Sequence, residues 1–338
     1  MATLLVEGTG AAQLVQRTFV PSGRRSPANL PEGRLALWRF SPEAGEQVVV
    51  RYRCDRSIEL HCHGGLAAAA MIVAALKEQG CRTVSWRQWI DCHHLDPIAA
   101  AAAAALTEAR TQRTSAVLLD QYNGALRRAI DEIRTLLNKG EHRTATTLID
   151  TLLDRAKLGQ HLTQAWRVVL AGPPNAGKSS LINALLGYQR VIVHHASGTT
   201  RDVVATIAAM DGWPVELSDT AGLRDTERAA ESAGVELAQR KLASADLALL
   251  VFDASRPWTT TNDTLVGSTP RSLVVNSKID LPPAPGPRPS WLGTSAVTGA
   301  GIEALIGAIV GRLVPLPPAA GAAVPFTRGQ IDLINGLR

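Results

Sequence analysis

The segment between residues 172 and 179 has the residue types and spacing needed to bind phosphate. Its sequence, Gly-Pro-Pro-Asn-Ala-Gly-Lys-Ser, fits the pattern GxxxxGK[ST] and lies between a predicted strand (167–171) and a predicted helix (180–186). Glycines in such a loop let backbone N–H groups turn toward phosphate oxygens, and the N-terminus of the following helix adds partial positive charge. Lys178 can then contact the β- and γ-phosphates, and the Ser179 hydroxyl can bind Mg²⁺. We therefore expect a nucleoside triphosphate site that includes Asn175, Ala176, Gly177, Lys178, Ser179 and Ser180.

A second motif, Asp219-Thr-Ala-Gly222, follows a predicted strand at 215–218. A carboxylate at the end of a strand can hold Mg²⁺ through water, and the backbone N–H of Gly222 can contact a γ-phosphate. Alone the pattern is weak, because Asp and Gly are ordinary turn residues. Its position behind a strand and after the phosphate loop favours the functional interpretation, so Asp219 joins Ser179 as a predicted Mg²⁺ contact.

A third motif, residues 277–280 with the sequence Ser-Lys-Ile-Asp, indicates which base is bound. The Asp280 carboxylate can accept hydrogen bonds from guanine N1–H and the exocyclic amine, and the Lys278 stem can cover the ring. The usual pattern is [NT]KxD, whereas here Ser277 occupies the first position and Asn276 lies one residue early. Because a serine hydroxyl can still donate or accept, guanine is the favoured base.

These motifs lie at the ends of short apolar runs that alternate with predicted helices between residues 163 and 314. The alternation is typical of an α/β fold, here a P-loop NTPase G domain with a mostly parallel sheet and flanking helices. The predicted strands are 167–171, 215–218, 247–252, 273–276 and 291–294. Ser295 and Ala296 follow the last of these strands, where they fit the remaining base-contact loop.

An N-terminal domain and a C-terminal tail are predicted at the two ends of the chain. Residues 1–95 indicate a small α+β domain with strands at 48–50 and 57–62 and a buried apolar helix over 66–76. Residues 315–338 begin with prolines and alanines and are predicted to be a linker and a short tail.

Between the N-terminal domain and the α/β region, residues 96–162 are predicted to form a short helical domain. Apolar residues from Leu119 to Leu137 recur every three or four positions, which indicates one helix with a continuous stripe. Gly140 is a plausible C-cap, and a second helix is predicted over 144–160. The stripe is equally compatible with packing inside a bundle and with a surface for a partner.

Composition limits the class of protein and its setting. The chain is 46% hydrophobic and 19% charged, which excludes global disorder. A net charge of +5 permits an RNA, phosphate or acidic partner without identifying one. The N-terminus lacks the pattern of a signal peptide, and no apolar stretch reaches about 18 residues. We therefore expect a cytoplasmic protein with free thiols that does not enter a membrane.

Three segments of the α/β region resemble the MnmE (TrmE) family of bacterial tRNA modification GTPases. They are 172–180, then 198–202 with the sequence Gly-Thr-Thr-Arg-Asp, then 219–224 with the sequence Asp-Thr-Ala-Gly-Leu-Arg. His63-Gly64-Gly65 resembles a segment of the family's N-terminal folate-binding and dimerisation domain. The helices after residue 96 resemble the first part of its helical domain.

The resemblance implies roles for residues that spacing alone does not identify. Thr200 corresponds to the switch I threonine that reaches Mg²⁺ and the γ-phosphate. Leu223 stands where many small GTPases have the glutamine that orients water, and Glu231 corresponds to the family's water-positioning glutamate; an exposed charge at a helix start is the alternative for Glu231. A potassium site is implied at Asn175, His194, Ala196 and Thr199.

The chain also departs from the family, and this leaves three functions open. Family members typically end in a cysteine-containing motif linked to the tRNA chemistry, whereas the last cysteine here is Cys92. The first possibility is a potassium-stimulated GTPase acting in tRNA wobble-uridine modification. The second is an RNA- or ribosome-associated regulatory GTPase without that chemistry, and the third is a GTP-binding module with little turnover. The partners implied are a second copy of the chain, tRNA or another RNA, an MnmG-like protein and a folate derivative.

Overall fold

The computed structural model of the chain describes residues 1–22, 33–40, 45–54, 56–93, 96–188, 191–192, 206–219 and 240–338. Two compact units make up this part of the chain, Met1–Trp89 and Ile90–Arg338. No helix within the described ranges is long and apolar enough to cross a bilayer. The four cysteines are free thiols, as the sequence predicts.

The first unit is built on a five-stranded antiparallel sheet. Its strands are β1 (Ala2–Glu7), β2 (Phe19–Pro21), β3 (Leu35–Phe40), β4 (Glu46–Cys54) and β5 (Ser57–Cys62). They are arranged in the order β1-β5-β4-β3-β2. The strand predicted at 57–62 is confirmed as β5, and its residues Ile58, Leu60 and Cys62 are buried. Every second side chain of a strand points to the same face, so one face of this sheet forms the core of the unit.

The helices in this part of the chain are α1 (Ala11–Thr18), α2 (Leu66–Glu78) and α3 (Trp86–His93). The apolar run at 66–76 is helical, as predicted, but the prediction that it is buried is wrong. Ile72 and Leu76 are buried, whereas Leu66 is 92% exposed. A helix that packs on one face of a sheet buries a single stripe, and a run made mostly of alanine does not show which side that stripe occupies.

Five helices precede the second sheet. They are α4 (Pro97–Leu106), α5 (Gln112–Tyr122), α6 (Ala125–Asn138), α7 (His142–Asp154) and α8 (Ala156–Gln160). The prediction of one helix along the stripe 119–137 is wrong, because Gly124 separates α5 from α6 with a φ of +89°. A left-handed residue does not continue a right-handed helix. Leu119 and Tyr122 are consequently exposed, while Leu126 and the rest of the stripe face a core shared with α7.

The end of α6 agrees with the sequence analysis, and the next helix does not. Gly140 has a φ of +78°, and its N–H donates to the Leu137 carbonyl while the Glu141 N–H donates to the Leu136 carbonyl. Such a pair of bonds closes a helix that ends at a left-handed glycine. The single helix predicted over 144–160 is in fact two helices, α7 and α8.

The second sheet has seven strands and confirms the mostly parallel α/β fold. Its strands are β6 (Trp166–Ala171), β7 (Val191–Ile192), β8 (Thr206–Met210), β9 (Trp213–Asp219), β10 (Leu247–Asp253), β11 (Ser272–Ser277) and β12 (Leu292–Thr294). The order is β12-β11-β10-β6-β9-β8-β7, and the five strands predicted from the sequence are the parallel ones. The helices that follow or flank the sheet are α9 (Lys178–Tyr188), α10 (Thr260–Gly267), α11 (Ile302–Leu313) and α12 (Arg328–Asn335).

The antiparallel edge of this sheet was not predicted, and it contacts the preceding helices. β8 and β9 form a hairpin whose turn is Asp211-Gly212, with φ values of +45° and +79°. The Arg113 guanidinium of α5 donates to the main-chain oxygen of Asp211 (2.6 Å) and to its carboxylate (2.7 Å). The same guanidinium lies 5.2 Å from the centre of the Trp213 ring. The hairpin turn is therefore held against α5.

The segment after α11 is packed, although a linker and a short tail were expected over 315–338. Gln121 of α5 donates to the Ala322 carbonyl (3.0 Å) and accepts from the Val324 N–H (3.1 Å). Val324 is fully buried, and Ile334 of α12 is buried in the core formed with α6 and α7. A few well-spaced apolar side chains are enough to fix the segment, and proline and alanine content does not reveal them.

Candidate nucleotide-binding site

The phosphate-binding segment lies at the carboxyl end of β6, near the middle of the seven-stranded sheet. β6 lies between β10 and β9; after β6 the chain runs to β7 at the edge beyond β9, whereas after β10 it runs to β11 on the other side. Ligands of α/β proteins bind at such points, outside the carboxyl ends of the strands. Gly172 begins the loop with a φ of +141°, and a Cβ at this position would lie 2.2 Å from the Val251 carbonyl oxygen. Only glycine fits, so strand packing fixes where the loop leaves the sheet.

The Lys178 ammonium lies within the loop that precedes it. Lys178 begins α9 and is 6% exposed, and its Nζ donates to the carbonyl oxygens of Pro173 (2.9 Å) and Gly172 (3.2 Å). Asn175 has a φ of +61°, a left-handed conformation within the same loop. A cation at a helix N-terminus, inside a loop of this shape, attracts phosphate. The arrangement agrees with the expected triphosphate site.

Ser179 and Asp219, the two predicted Mg²⁺ contacts within the described residues, are in direct contact with each other. The Ser179 hydroxyl donates to Asp219 Oδ2 at 3.0 Å. Ser179 is exposed in the first turn of α9, and Asp219 ends β9, which pairs with β6. Hydroxyl and carboxylate oxygens suit Mg²⁺, which binds one or two protein groups together with water and substrate phosphates. The chemistry of this donor pair therefore fits Mg²⁺.

The predicted base-binding loop (residues 277–280) is joined to the phosphate loop (residues 172–179) through Lys278. Its Nζ donates to the Asn175 carbonyl at 2.9 Å and to Asp253 Oδ2 at 2.7 Å. A Cβ placed on Gly177 would lie 3.6 Å from the Cε atom of Lys278. The Lys278 stem thus runs beside the phosphate loop, as expected of a lysine that covers a base.

The structure distinguishes the roles of Ser277 and Asn276. Ser277 is buried, and its Oγ lies 2.6 Å from the Ala176 carbonyl oxygen and 3.0 Å from the Phe252 carbonyl oxygen. The hydroxyl therefore connects the base-binding loop to the phosphate loop. The Asn276 side chain faces elsewhere, where its Oδ1 accepts from the Arg288 guanidinium at 3.0 Å. Ser277, at the first position of the motif, thus joins the two loops directly through its hydroxyl.

The last base-contact loop is ordered by Ser295. Ser295 is fully buried, and its Oγ accepts from the N–H groups of Val297 (3.2 Å) and Thr298 (3.1 Å). The Ile279 N–H donates to the carbonyl of Thr294, the residue before Ser295, so the two base loops are hydrogen-bonded to each other. Asp280 is exposed and Ala296 is half-buried beside these loops. The carboxylate of Asp280 is accessible to a base.

Asp253, the last residue of β10, is a site residue that was not predicted from the sequence. Its side chain is 6% exposed, and its carboxylate accepts from Lys278 and from the N–H and hydroxyl of Ser255. Burial alone would raise the pKa of Asp253, but the hydrogen bonds from Lys278 and Ser255 together outweigh burial and lower it. The available signal was an ionisable residue at the end of a strand whose other residues are all buried.

Several predicted site residues lie outside the described residues. These are Gly222 of the second motif, the catalytic candidates Thr200 and Glu231, and the potassium candidates His194, Ala196 and Thr199. Leu223 also lies outside the described residues. Their roles stay predictions, as do those of the described site residues; of these, 175–177, 277–280, 295 and 296 lie at the carboxyl ends of β6, β11 and β12, and 178–180 form the first turn of α9.

Comparisons with known proteins agree with this geometry. Residues 167–277 match the family model described as 50S ribosome-binding GTPase. A tRNA modification GTPase MnmE of Thermus thermophilus is 32% identical, over 97% of this chain and 82% of the relative. The MnmE of Paramagnetospirillum magneticum is 36% identical over 87% of this chain and 72% of the relative, and one from Prochlorococcus marinus is 33% identical over 82% and 68%. On this evidence the chain belongs to the MnmE family of tRNA modification GTPases.

Proposed function

We propose that the chain binds GTP with Mg²⁺ at the loops described above and hydrolyses it to GDP and phosphate in the service of tRNA modification. The observation that carries the proposal is the convergence of Lys178, the Ser179–Asp219 pair and the loop of Lys278 on one phosphate-binding segment. Membership of the MnmE family supports both the hydrolysis and the link to tRNA.

Each described side chain has a distinct task in this scheme. Lys178 places its positive charge against the β- and γ-phosphates, where it stabilises the charge that develops as the γ-phosphoryl group is transferred. Ser179 and Asp219 would hold Mg²⁺, which would neutralise phosphate charge. Asp280 accepts hydrogen bonds from the guanine edge, while Lys278 covers the ring. Binding and orientation are thus assigned to residues at the start of α9, at the end of β9 and in the loop after β11.

We propose that activation of water depends on Glu231 and Thr200, in the roles that the family resemblance implies. Leu223 cannot orient water, because its side chain has no hydrogen-bonding group. Glu231 positions the attacking water, and Thr200 reaches Mg²⁺ and the γ-phosphate. Potassium bound by Asn175 and the segment 194–199 adds positive charge beside the phosphates. Pairing of two G domains then excludes bulk solvent from the site, leaving the attacking water in place.

The division of labour along the chain is also part of the proposal. Residues 1–95 form a dimerisation domain able to take a folate derivative, 96–162 a helical domain, 163–314 the GTPase domain and 315–338 a terminal segment. The partners are a second copy of the chain, tRNA and an MnmG-like protein, and the setting is the cytoplasm, where tRNA is found.

The experiment is GTP turnover by the full chain in KCl and in NaCl, at several protein concentrations, with and without bulk tRNA. We expect turnover to be higher in KCl and to rise with protein concentration. Glu231→Ala is expected to lower kcat with little change in GTP affinity, which marks an interaction made in the transition state. Turnover that is equal in both salts and independent of concentration would remove the potassium-driven mechanism.

A second candidate is an RNA- or ribosome-associated regulatory GTPase. It is favoured by the family model over residues 167–277, whose description is a ribosome-binding GTPase. The same experiment separates the two candidates when ribosomes replace tRNA. Stimulation by ribosomes and not by tRNA would favour the second.

A further inference from the structure

We infer that Asp253 is a positioning residue for nucleotide binding, acting through Lys278 without touching the nucleotide. The inference rests on the proposed GTP-binding function and goes beyond it, since neither the motifs nor the comparisons give Asp253 a role. It concerns the end of β10, one strand away from the phosphate loop.

The Asp253 carboxylate is buried and fully engaged by neighbours. Its side chain is 6% exposed, Lys278 Nζ lies 2.7 Å from Oδ2, and Ser255 donates to Oδ1 from its N–H (2.9 Å) and its hydroxyl (2.6 Å). Arg256 Nε lies 3.8 Å from Oδ2, but the Arg256 side chain is 64% exposed. A buried carboxylate is stable only when it is paired and hydrogen-bonded, so Lys278 is the principal charge that compensates it.

Lys278 is in turn fixed at both ends. Its backbone has a φ of +58°, which is uncommon for a residue with a side chain and persists where surrounding contacts hold it. At the other end, one ammonium group bonds both the Asp253 carboxylate and the Asn175 carbonyl of the phosphate loop. The path of the Lys278 stem, and hence its position over a bound base, is therefore set by where Asp253 holds the ammonium.

This arrangement predicts a particular pattern of losses. Without the carboxylate, the ammonium keeps only the Asn175 carbonyl among these two partners, and the stem is free to leave the base. The base is the same in GTP and GDP, so affinity for both is expected to fall by a similar factor. A charge-assisted hydrogen bond of this kind corresponds to about a tenfold change in affinity.

The test is a double-mutant cycle in the full chain, with fluorescent GDP and GTP analogues as probes. The variants are Asp253→Asn, Lys278→Ala and the two together, and the matched control is Ser255→Ala, which removes a different hydrogen bond to the same carboxylate. Because Asp253 acts through Lys278, the double variant is expected to bind as weakly as Lys278→Ala alone. Asp253→Glu, which keeps the charge, is expected to recover part of the affinity, and Ser255→Ala to stay near wild type.

Independent losses that multiply in the double variant would overturn the inference, as would wild-type affinity in Asp253→Asn. Titration of the fraction of competent sites separates a folding defect from weakened binding, because unfolded molecules lower that fraction and leave the Kd of the remainder unchanged. Asp253→Ser serves as a second variant that lacks the negative charge. If the wild-type chain binds neither analogue, the proposed GTP-binding function fails, and that outcome is distinct from failure of the cycle.

Discussion

Two lysines place positive charge on the phosphate loop, and each is held by backbone carbonyl groups of that loop. Lys178 binds the carbonyls at the start of the loop, and Lys278 binds the carbonyl of Asn175 farther along it. A lysine ammonium is a compact point charge with three donors, so it can exchange carbonyl partners for phosphate oxygens. At the scale of residues, the proposed binding of GTP therefore depends on these two side chains and on the Asp280 carboxylate, the predicted guanine contact.

Lys178→Ala is expected to weaken GTP binding by about 100-fold or more, because a buried cation that contacts two phosphates is removed. Binding of a fluorescent GTP analogue measures the loss. The control is Lys139→Ala, which removes an exposed lysine at the end of α6 and is expected to leave affinity unchanged. Normal GTP hydrolysis by Lys178→Ala would show that the phosphate site is wrongly assigned.

Asp280→Asn is expected to weaken GTP binding and to improve binding of xanthosine triphosphate. An amide in place of the carboxylate presents a donor to the guanine N–H groups and leaves polar groups unpaired, whereas xanthine offers an oxygen at that edge. Competition titrations with the two nucleotides measure the change, with Asp332→Asn, at an exposed position of α12, as the control. Equal affinity of the native chain for ATP and GTP would contradict this assignment.

At the scale of elements, the start of the phosphate loop is fixed by contact with a neighbouring strand. Gly172→Ala would force a Cβ to within 2.2 Å of the Val251 carbonyl oxygen, whereas a Cβ at Gly187 in α9 meets nothing within 4 Å. We expect Gly172→Ala to lower the free energy of unfolding by more than about 2 kcal/mol and to weaken nucleotide binding. Gly187→Ala, the matched control, is expected to be neutral or stabilising by up to about 1 kcal/mol. Urea unfolding measures both, and similar midpoints for the two variants would contradict the packing described.

Asp246 connects α8 to the first strand of the second sheet. It accepts from the Arg167 N–H at 2.9 Å and lies 3.5 Å from His161 Nε2, whose ring stacks on Trp166. Burial alone would raise the pKa of Asp246, but hydrogen bonds from His161 and Arg167, with the charge of Lys157, lower it on balance. A lowered pKa means that this stabilisation is fully present above the unfolded value of 3.8 and is lost as the pH falls through the folded value.

Asp246→Asn is therefore expected to lower the free energy of unfolding by about 1–2 kcal/mol at pH 7 and by less at pH 3. Urea unfolding at the two pH values measures the difference. Asp150→Asn, which removes an exposed ion pair with Arg338, is the control and is expected to change stability by less than about 1 kcal/mol. An equal effect of Asp246→Asn at both pH values would rule out the carboxylate as the source.

The elements that the sequence predicted well are those with a strong local pattern. β6, β10 and β11 contain continuous apolar runs, and the motifs at the ends of β6, β9 and β11 have fixed spacing. The hairpin strand β8 was missed because its sequence, Thr-Ile-Ala-Ala-Met, does not alternate polar and apolar residues and contains two alanines, which are poor strand formers. The break at Gly124 was missed because the apolar period continues through it, and Asp253 was missed because its partner Lys278 is distant in sequence. Long-range partners of this kind become visible only when the strands are placed side by side.

At the scale of the whole molecule, the division into two units shows where the candidate nucleotide site lies, and the family relationship indicates the activity. The second unit contains the helices, the seven-stranded sheet and the nucleotide loops, and α12 packs back on the helices that precede the sheet. The nucleotide site is therefore part of the same compact unit as the helical region. Relatives that cover most of this chain are tRNA modification GTPases, so the account predicts that hydrolysis of GTP is the basic activity of the full chain.

The most direct measurement is release of phosphate from GTP and from ATP by the purified full chain, with Mg²⁺ and KCl present and Lys178→Ala as the blank. We predict that the wild-type chain releases phosphate from GTP well above the Lys178→Ala blank. Release from ATP is expected to stay near that blank. Release from GTP that does not exceed the Lys178→Ala blank, or equal release from ATP and GTP, would contradict this prediction.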